Sequence, residues 1–74
     1  MTSAIERQEF EDAWRFMSSA LRILGHDDIF IATTKFGGDD HYVLERPNAK
    51  VEYFKYADDC QKFLLSIGID LDEA

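Results

Sequence analysis

Apolar residues recur along this chain with two different periods, and the change of period marks out its elements. Phe10, Ala13, Trp14, Met17, Leu21 and Leu24 lie three and four residues apart, the spacing that lines one face of an α-helix. Ser3 followed three residues later by Glu6 is a capping-box pattern at its start, and Gly25 stands where a left-handed cap closes a helix. The pattern predicts a helix over residues 4–24. Its first turns, Ala4 to Glu9, are mostly polar. A helix of this length spans roughly 30 Å at 1.5 Å per residue, longer than a strand of about seven residues. The polar turns are therefore expected to overhang whatever sheet the helix covers.

From Asp28 the period shortens. Residues 28–36, 41–46 and 50–56 are rich in β-branched and aromatic side chains and read as strands. Gly37-Gly38-Asp39-Asp40 and Pro47-Asn48-Ala49 are the turns between them. Connections this short make the three strands neighbours in an antiparallel meander. Ala57, Cys60, Leu64 and Ile67 then return to helical spacing, with Phe63 beside them, Asp58 and Asp59 in the first turn and Gly68 at the end. This predicts a helix over 57–67, closed by Ile69, and a frayed acidic tail over 70–74.

The expected fold is α+β: a single domain over residues 1–74 in the order α-β-β-β-α, with both helices packed on one face of a three-stranded antiparallel meander. That order resembles the double-stranded RNA-binding domain over most of the chain. The resemblance implies the topology. The family reads RNA through basic residues at the start of its last helix and through a loop between strands. The matching positions here are Ala57-Asp58-Asp59 and Gly37-Gly38-Asp39-Asp40-His41. The loop keeps a glycine and a histidine, but aspartates stand where the family is basic, so the topology does not bring RNA binding with it.

Composition supports a folded core and shapes the expected partner. The chain has 74 residues, of which 46% are hydrophobic, including six Phe, three Tyr and one Trp. Its formal net charge is -7, and the acidity is uneven. Residues 1–37 carry four basic and six acidic side chains, whereas residues 38–74 carry four and nine. Such a surface repels phosphate backbones, since nucleic-acid affinity comes from Lys and Arg displacing counterions. The cations nearest the strands are Lys35, Arg46, Lys50 and Lys55, and they alternate with Glu45 and Glu52. Direct nucleic-acid binding is thus an unfavoured reading. The single cysteine, Cys60, rules out an intramolecular disulfide and suits a reducing compartment. There is no basic segment followed by an apolar one at Met1-Thr2-Ser3, and no apolar run long enough to cross a bilayer. A cytoplasmic location and no membrane contact are expected.

Chemistry-bearing residues are present but do not form a site in the sequence. His26-Asp27-Asp28 and Asp39-Asp40-His41 both carry metal-ligand side chains. One strand separates them, which places them at opposite ends of the sheet. The second cluster is the better candidate, as a small metal-binding turn. Gly37-Gly38 precedes a strand rather than a helix and lacks a lysine, so it is not a phosphate loop. Cys60 lies on the apolar stripe next to two aspartates and reads as a core residue. No nucleophile, base or cofactor motif emerges, and the expectation is a protein without catalytic activity and without a cofactor.

More informative is a surplus of apolar surface. Phe16, Ala20 and Ile23 form a second stripe on the first helix. Phe30, Phe36, Tyr42, Tyr53, Phe54 and Tyr56 cannot all face the helices, because successive strand residues alternate sides. Exposed aromatics beside carboxylates point to a protein-interaction module: an inhibitor or adaptor that occupies a basic, nucleic-acid-binding site on a partner protein, the form taken by phage-encoded inhibitors of bacterial defence. The candidate partner-binding residues are Phe16, Ile23, Asp39, Asp40, Tyr42, Tyr53, Asp58 and Asp59. The alternative is a self-associating structural protein whose spare stripe forms a homodimer, with Phe16 and Ile23 buried between copies.

Overall fold

A computed structural model of the chain describes residues 4–74. Ser3, half of the expected capping box, lies outside the described residues. The elements are α1 (Ala4–Ile23), β1 (Phe30–Phe36), β2 (Asp39–Glu45), β3 (Glu52–Phe54), α2 (Ala57–Ser66) and a closing 3₁₀ turn (Leu71–Glu73). The sheet is antiparallel in the order β1-β2-β3. The α-β-β-β-α order and the meander agree with the sequence reading and with the topology of the double-stranded RNA-binding domain.

Both helices cover one face. From β1, β2 and β3 that face takes Ile31, Tyr42, Leu44 and Phe54, and onto it pack Met17, Ala20 and Leu21 of α1 and Cys60 and Leu64 of α2. Two side-chain hydrogen bonds pin α1 to the sheet. The Trp14 indole N–H donates to the Ile31 carbonyl at 2.6 Å, and the Tyr42 hydroxyl donates to the Phe10 carbonyl at 3.0 Å. The Phe10 and Tyr42 rings stack 4.2 Å apart. Ala4 to Glu9 are exposed, as the overhang argument anticipates.

The structure moves several boundaries. The first hairpin needs only Gly37 and Gly38, with φ of 57° and 90°, because two residues at positive φ make a type I′ turn whose twist matches the strands. Asp39 and Asp40 therefore begin β2 instead of completing a turn, pairing with Phe36 and Lys35. At the other end, β1 starts at Phe30, because Asp28 and Ile29 belong to a turn closed by the Ile29 N–H on the His26 carbonyl. β3 shrinks to Glu52–Phe54 from the expected 50–56. α1 and α2 each end one residue earlier than expected.

The acidic tail is not frayed. The Ile69 N–H donates to the Leu64 carbonyl and the Gly68 N–H to the Leu65 carbonyl, with Gly68 at φ 90°. This Schellman closure turns the chain back under α2 and buries Ile69 and Leu71 in the core. The Asp70 carboxylate accepts from the Asp72 N–H and starts the 3₁₀ turn. Burial of Ile69 and Leu71 outweighs the charge of Asp70, Asp72 and Glu73 around them.

Candidate functional site

Asp39 and Asp40 stand where three elements meet: the start of β2, the first turns of α1, and the segment joining β3 to α2. A groove of about 360 Å³ opens there. Its rim carries Glu6 and Glu9 from α1 and Asp39 and Asp40 from β2. Its floor is Phe10 and Tyr42, and Tyr56 and Ala57 form the far wall. Lys55 lies across it, 3.7 Å from the Asp39 carboxylate and 5.8 Å from the centre of the Tyr56 ring. Asp40 is shared between Arg7 at 3.7 Å and Lys35 at 4.0 Å. The cations and Asp39 are exposed and Asp40 is half-buried; with separations of 3.7–4.0 Å and the cations in solvent, each pair holds by about 1 kcal/mol.

Alternation along β2 sends Asp40 and Tyr42 towards the helices and Asp39, His41 and Val43 to the open face of the sheet. On that open face Phe36 is the hub. Its ring meets His41 at 5.2 Å and Tyr53 at 4.9 Å, both edge to face. The Nδ1 of His41 lies 3.0 Å from the Asp39 carbonyl, which can only accept, so Nδ1 carries the proton. Phe36 and Tyr53 remain about half exposed, at 48% and 53%. Asp39 therefore links an acidic groove on one side of the sheet end to an aromatic cluster on the other.

The expected site residues divide on this geometry. Asp39 and Asp40 lie at the groove and Tyr53 in the aromatic cluster. Tyr42 does not belong to the surface: it is 2% exposed, since its register places it under α1, where the Phe10 carbonyl takes its hydroxyl. Burial, then the nearby Cys60 thiol and the Asp40 carboxylate, push its pKa up to about 12. Asp58 and Asp59 are exposed on the first turn of α2, and Asp58 lines a different groove with Lys62, Asp70 and Asp72. Phe16 and Ile23 are exposed on the outer side of α1, whereas Ala20, expected on the same stripe, is buried in the core. Glu6, Glu9, Phe36 and Tyr56 are the site residues that sequence reasoning missed. The signal for Phe36 was its place immediately before Gly37-Gly38, which fixes it beside Asp39 once the turn is read as two residues.

Other chemistry is absorbed by the fold. Burial raises the Cys60 thiol to about 11, which removes nucleophilic thiolate at neutral pH. No group of three or more His, Cys, Asp or Glu side chains among the described residues could hold a metal ion. Of the cations near the strands, Lys35 and Lys55 are paired with Asp40 and Asp39, and the Arg46 guanidinium sits 5.0 Å from the centre of the Phe63 ring. No described helix is long and apolar enough to cross a membrane. No protein family, characterised protein or solved structure matches the chain.

Proposed function

We propose that this protein is a non-enzymatic interaction module that binds a basic segment of a partner protein at its acidic and aromatic end. One observation carries the reading: Glu6, Glu9, Asp39 and Asp40 converge on a groove walled by Tyr56, and Asp39 joins it to the exposed Phe36–Tyr53 pair. Aromatic anchors with adjacent carboxylates suit a guanidinium-rich surface, which stacks on rings and pairs with carboxylates. The aromatics would supply affinity and the net charge of -7 the steering. Arg7 and Lys35 hold Asp40, and Lys55 holds Asp39, through long pairs whose cations are exposed, so an arriving arginine exchanges with them at little cost. A protein surface that binds nucleic-acid phosphates has the matching chemistry, and occupying it would make this protein an inhibitor or adaptor.

The test compares variants of equal net charge against an oligo-arginine peptide. Asp39→Asn with Asp40→Asn should weaken binding at least tenfold. Asp72→Asn with Glu73→Gln removes the same charge far from the groove and should weaken it less than threefold. Equal losses in the two variants would mean that net charge alone binds the peptide.

A second reading has its own observation. Ile5, Phe16 and Ile23 are 72%, 46% and 71% exposed on α1, a stripe suited to a homodimer contact. Light scattering across a wide concentration range decides it: a constant monomer mass removes this reading.

A further inference from the structure

The outer edge of β1 offers a docking site of opposite polarity. In a two-residue hairpin the residues flanking the turn, Phe36 and Asp39, form a hydrogen-bonded pair, so alternate residues of β1 bond to β2. The main-chain N–H and C=O groups of Ile31, Thr33 and Lys35 then point away from the sheet. The Trp14 indole confirms the direction by bonding to the Ile31 carbonyl from that side. Nothing among the described residues bonds to the outward main-chain groups of Thr33 and Lys35. β1 is a seven-residue edge without proline, whereas β3 at the opposite edge has only three residues.

Charge decides what can add there. Arg7, Glu11 and Arg15 of α1 line a groove of about 260 Å³ beside Thr33, where Arg7 pairs with Glu11 at 3.7 Å. Beyond Trp14 the seam continues into a second groove lined by Asp27 and by Arg22, which makes no ion pair among the described residues, so along the two grooves Arg7, Arg15 and Arg22 outnumber Glu11 and Asp27. The Arg15 pair with Asp12 is long, at 3.9 Å, and exposed. A second copy pairing β1 with β1 about a two-fold axis would bring two walls with the same excess of arginine together, which disfavours it. A strand bearing carboxylates meets the opposite sign.

We propose that β1 accepts an added strand from an acidic segment of a partner protein, hydrogen-bonded to Thr33 and Lys35. Its alternate side chains are carboxylates facing Arg15 and Lys35. The intervening ones are apolar and lie beside Phe36 on the open face. This surface shares Arg7, Lys35 and Phe36 with the acidic and aromatic end, but Arg15, Arg22 and the outward amide of Thr33, on which its test turns, belong to it alone.

The experiment titrates ¹⁵N-labelled protein with a short peptide alternating valine and glutamate, and with its valine–lysine counterpart. The glutamate peptide should bind and shift the Thr33 and Lys35 amides and the Trp14 indole. Arg15→Glu with Arg22→Glu should raise its Kd at least tenfold, and Thr33→Pro, which removes an outward N–H without touching the β1–β2 bonds, should abolish binding. If Thr33→Pro fails to fold, the arginine variant alone decides. Tighter binding of the lysine peptide, no binding of either peptide, or shifts that leave Thr33 and Lys35 unmoved would overturn the proposal. So would concentration-dependent protection of those two amides without peptide, which would assign the edge to a second copy.

Discussion

Replacing Tyr42 with phenylalanine separates what this residue does for the fold from what it could do for a partner. The substitution keeps the ring that stacks 4.2 Å from Phe10 and removes only the hydroxyl that donates to the Phe10 carbonyl at 3.0 Å. That carbonyl, beneath a part-buried α1, then loses its side-chain partner. Removing one partner of such a bond costs about 1–2 kcal/mol. In a domain of this size each 1 kcal/mol moves Tm by roughly 4–8 °C. Urea denaturation at pH 7 should show a lower midpoint with an unchanged slope. Binding of an oligo-arginine peptide at a temperature where the variant is folded should match the wild type, because Tyr42 is buried. The pH dependence adds a second signature. The folded protein keeps the Tyr42 proton to about pH 12 and the Cys60 proton to about pH 11, against ordinary values of 10.0 and 9.0. Between those limits the unfolded chain has released protons that the folded chain retains. Wild-type stability therefore falls as pH rises from about 9 to about 12, and Tyr42→Phe should lose the upper part of that fall. An unaltered denaturation midpoint, or a loss of peptide binding without a loss of stability, would refute the placement of Tyr42 in the core.

Three further outcomes follow from the packing. Leu71→Ala should destabilise the protein by roughly 2–5 kcal/mol, the range for emptying a buried leucine site, and deuterium exchange should show the Ile69 amide protected in the wild type; a frayed tail would give neither result. Cys60 should react with a thiol reagent at pH 8 only as fast as the protein unfolds, since its side chain is fully buried, and rapid labelling of the folded protein would contradict that burial. Gly38→Ala places a side chain at φ 90° and should cost about 1 kcal/mol or more although nothing crowds the site, because the cost is in the backbone conformation and not in contacts.

Most of the fold was legible because it rests on local signals. The apolar stripe from Phe10 to Leu24, the three β-rich runs and the glycines at 25 and 68 each specify an element or its end without reference to the others. The errors came where a tertiary contact decided. Tyr42 and Tyr53 look alike in sequence, and only the register that the Gly37-Gly38 turn imposes sends one under α1 and the other to the open face. The tail from Asp70 to Ala74 is acidic enough to suggest fraying, yet Leu71 finds a place in the core once Gly68 reverses the chain. The site was half legible. Asp39 and Asp40 stood out as a charge cluster, but Glu6 and Glu9 looked like ordinary helix-start carboxylates, and nothing local announces that α1 begins beside β2. Helical spacing alone groups Phe16, Ala20 and Ile23 in one stripe, yet only Phe16 and Ile23 are exposed, while Ala20 is drawn into the core.

In the proposed function the acidic and aromatic end, and not the charge of the whole protein, recognises a basic partner. An ¹⁵N titration with an oligo-arginine peptide at physiological salt tests it most directly. The expected shifts are concentrated at the amides of Glu6, Glu9, Asp39, Asp40 and Tyr56, with the amides of Phe36 and Tyr53 moving together with them. Shifts spread evenly over the carboxylates, or centred on Asp58, Asp70 and Asp72 beside α2, would contradict it.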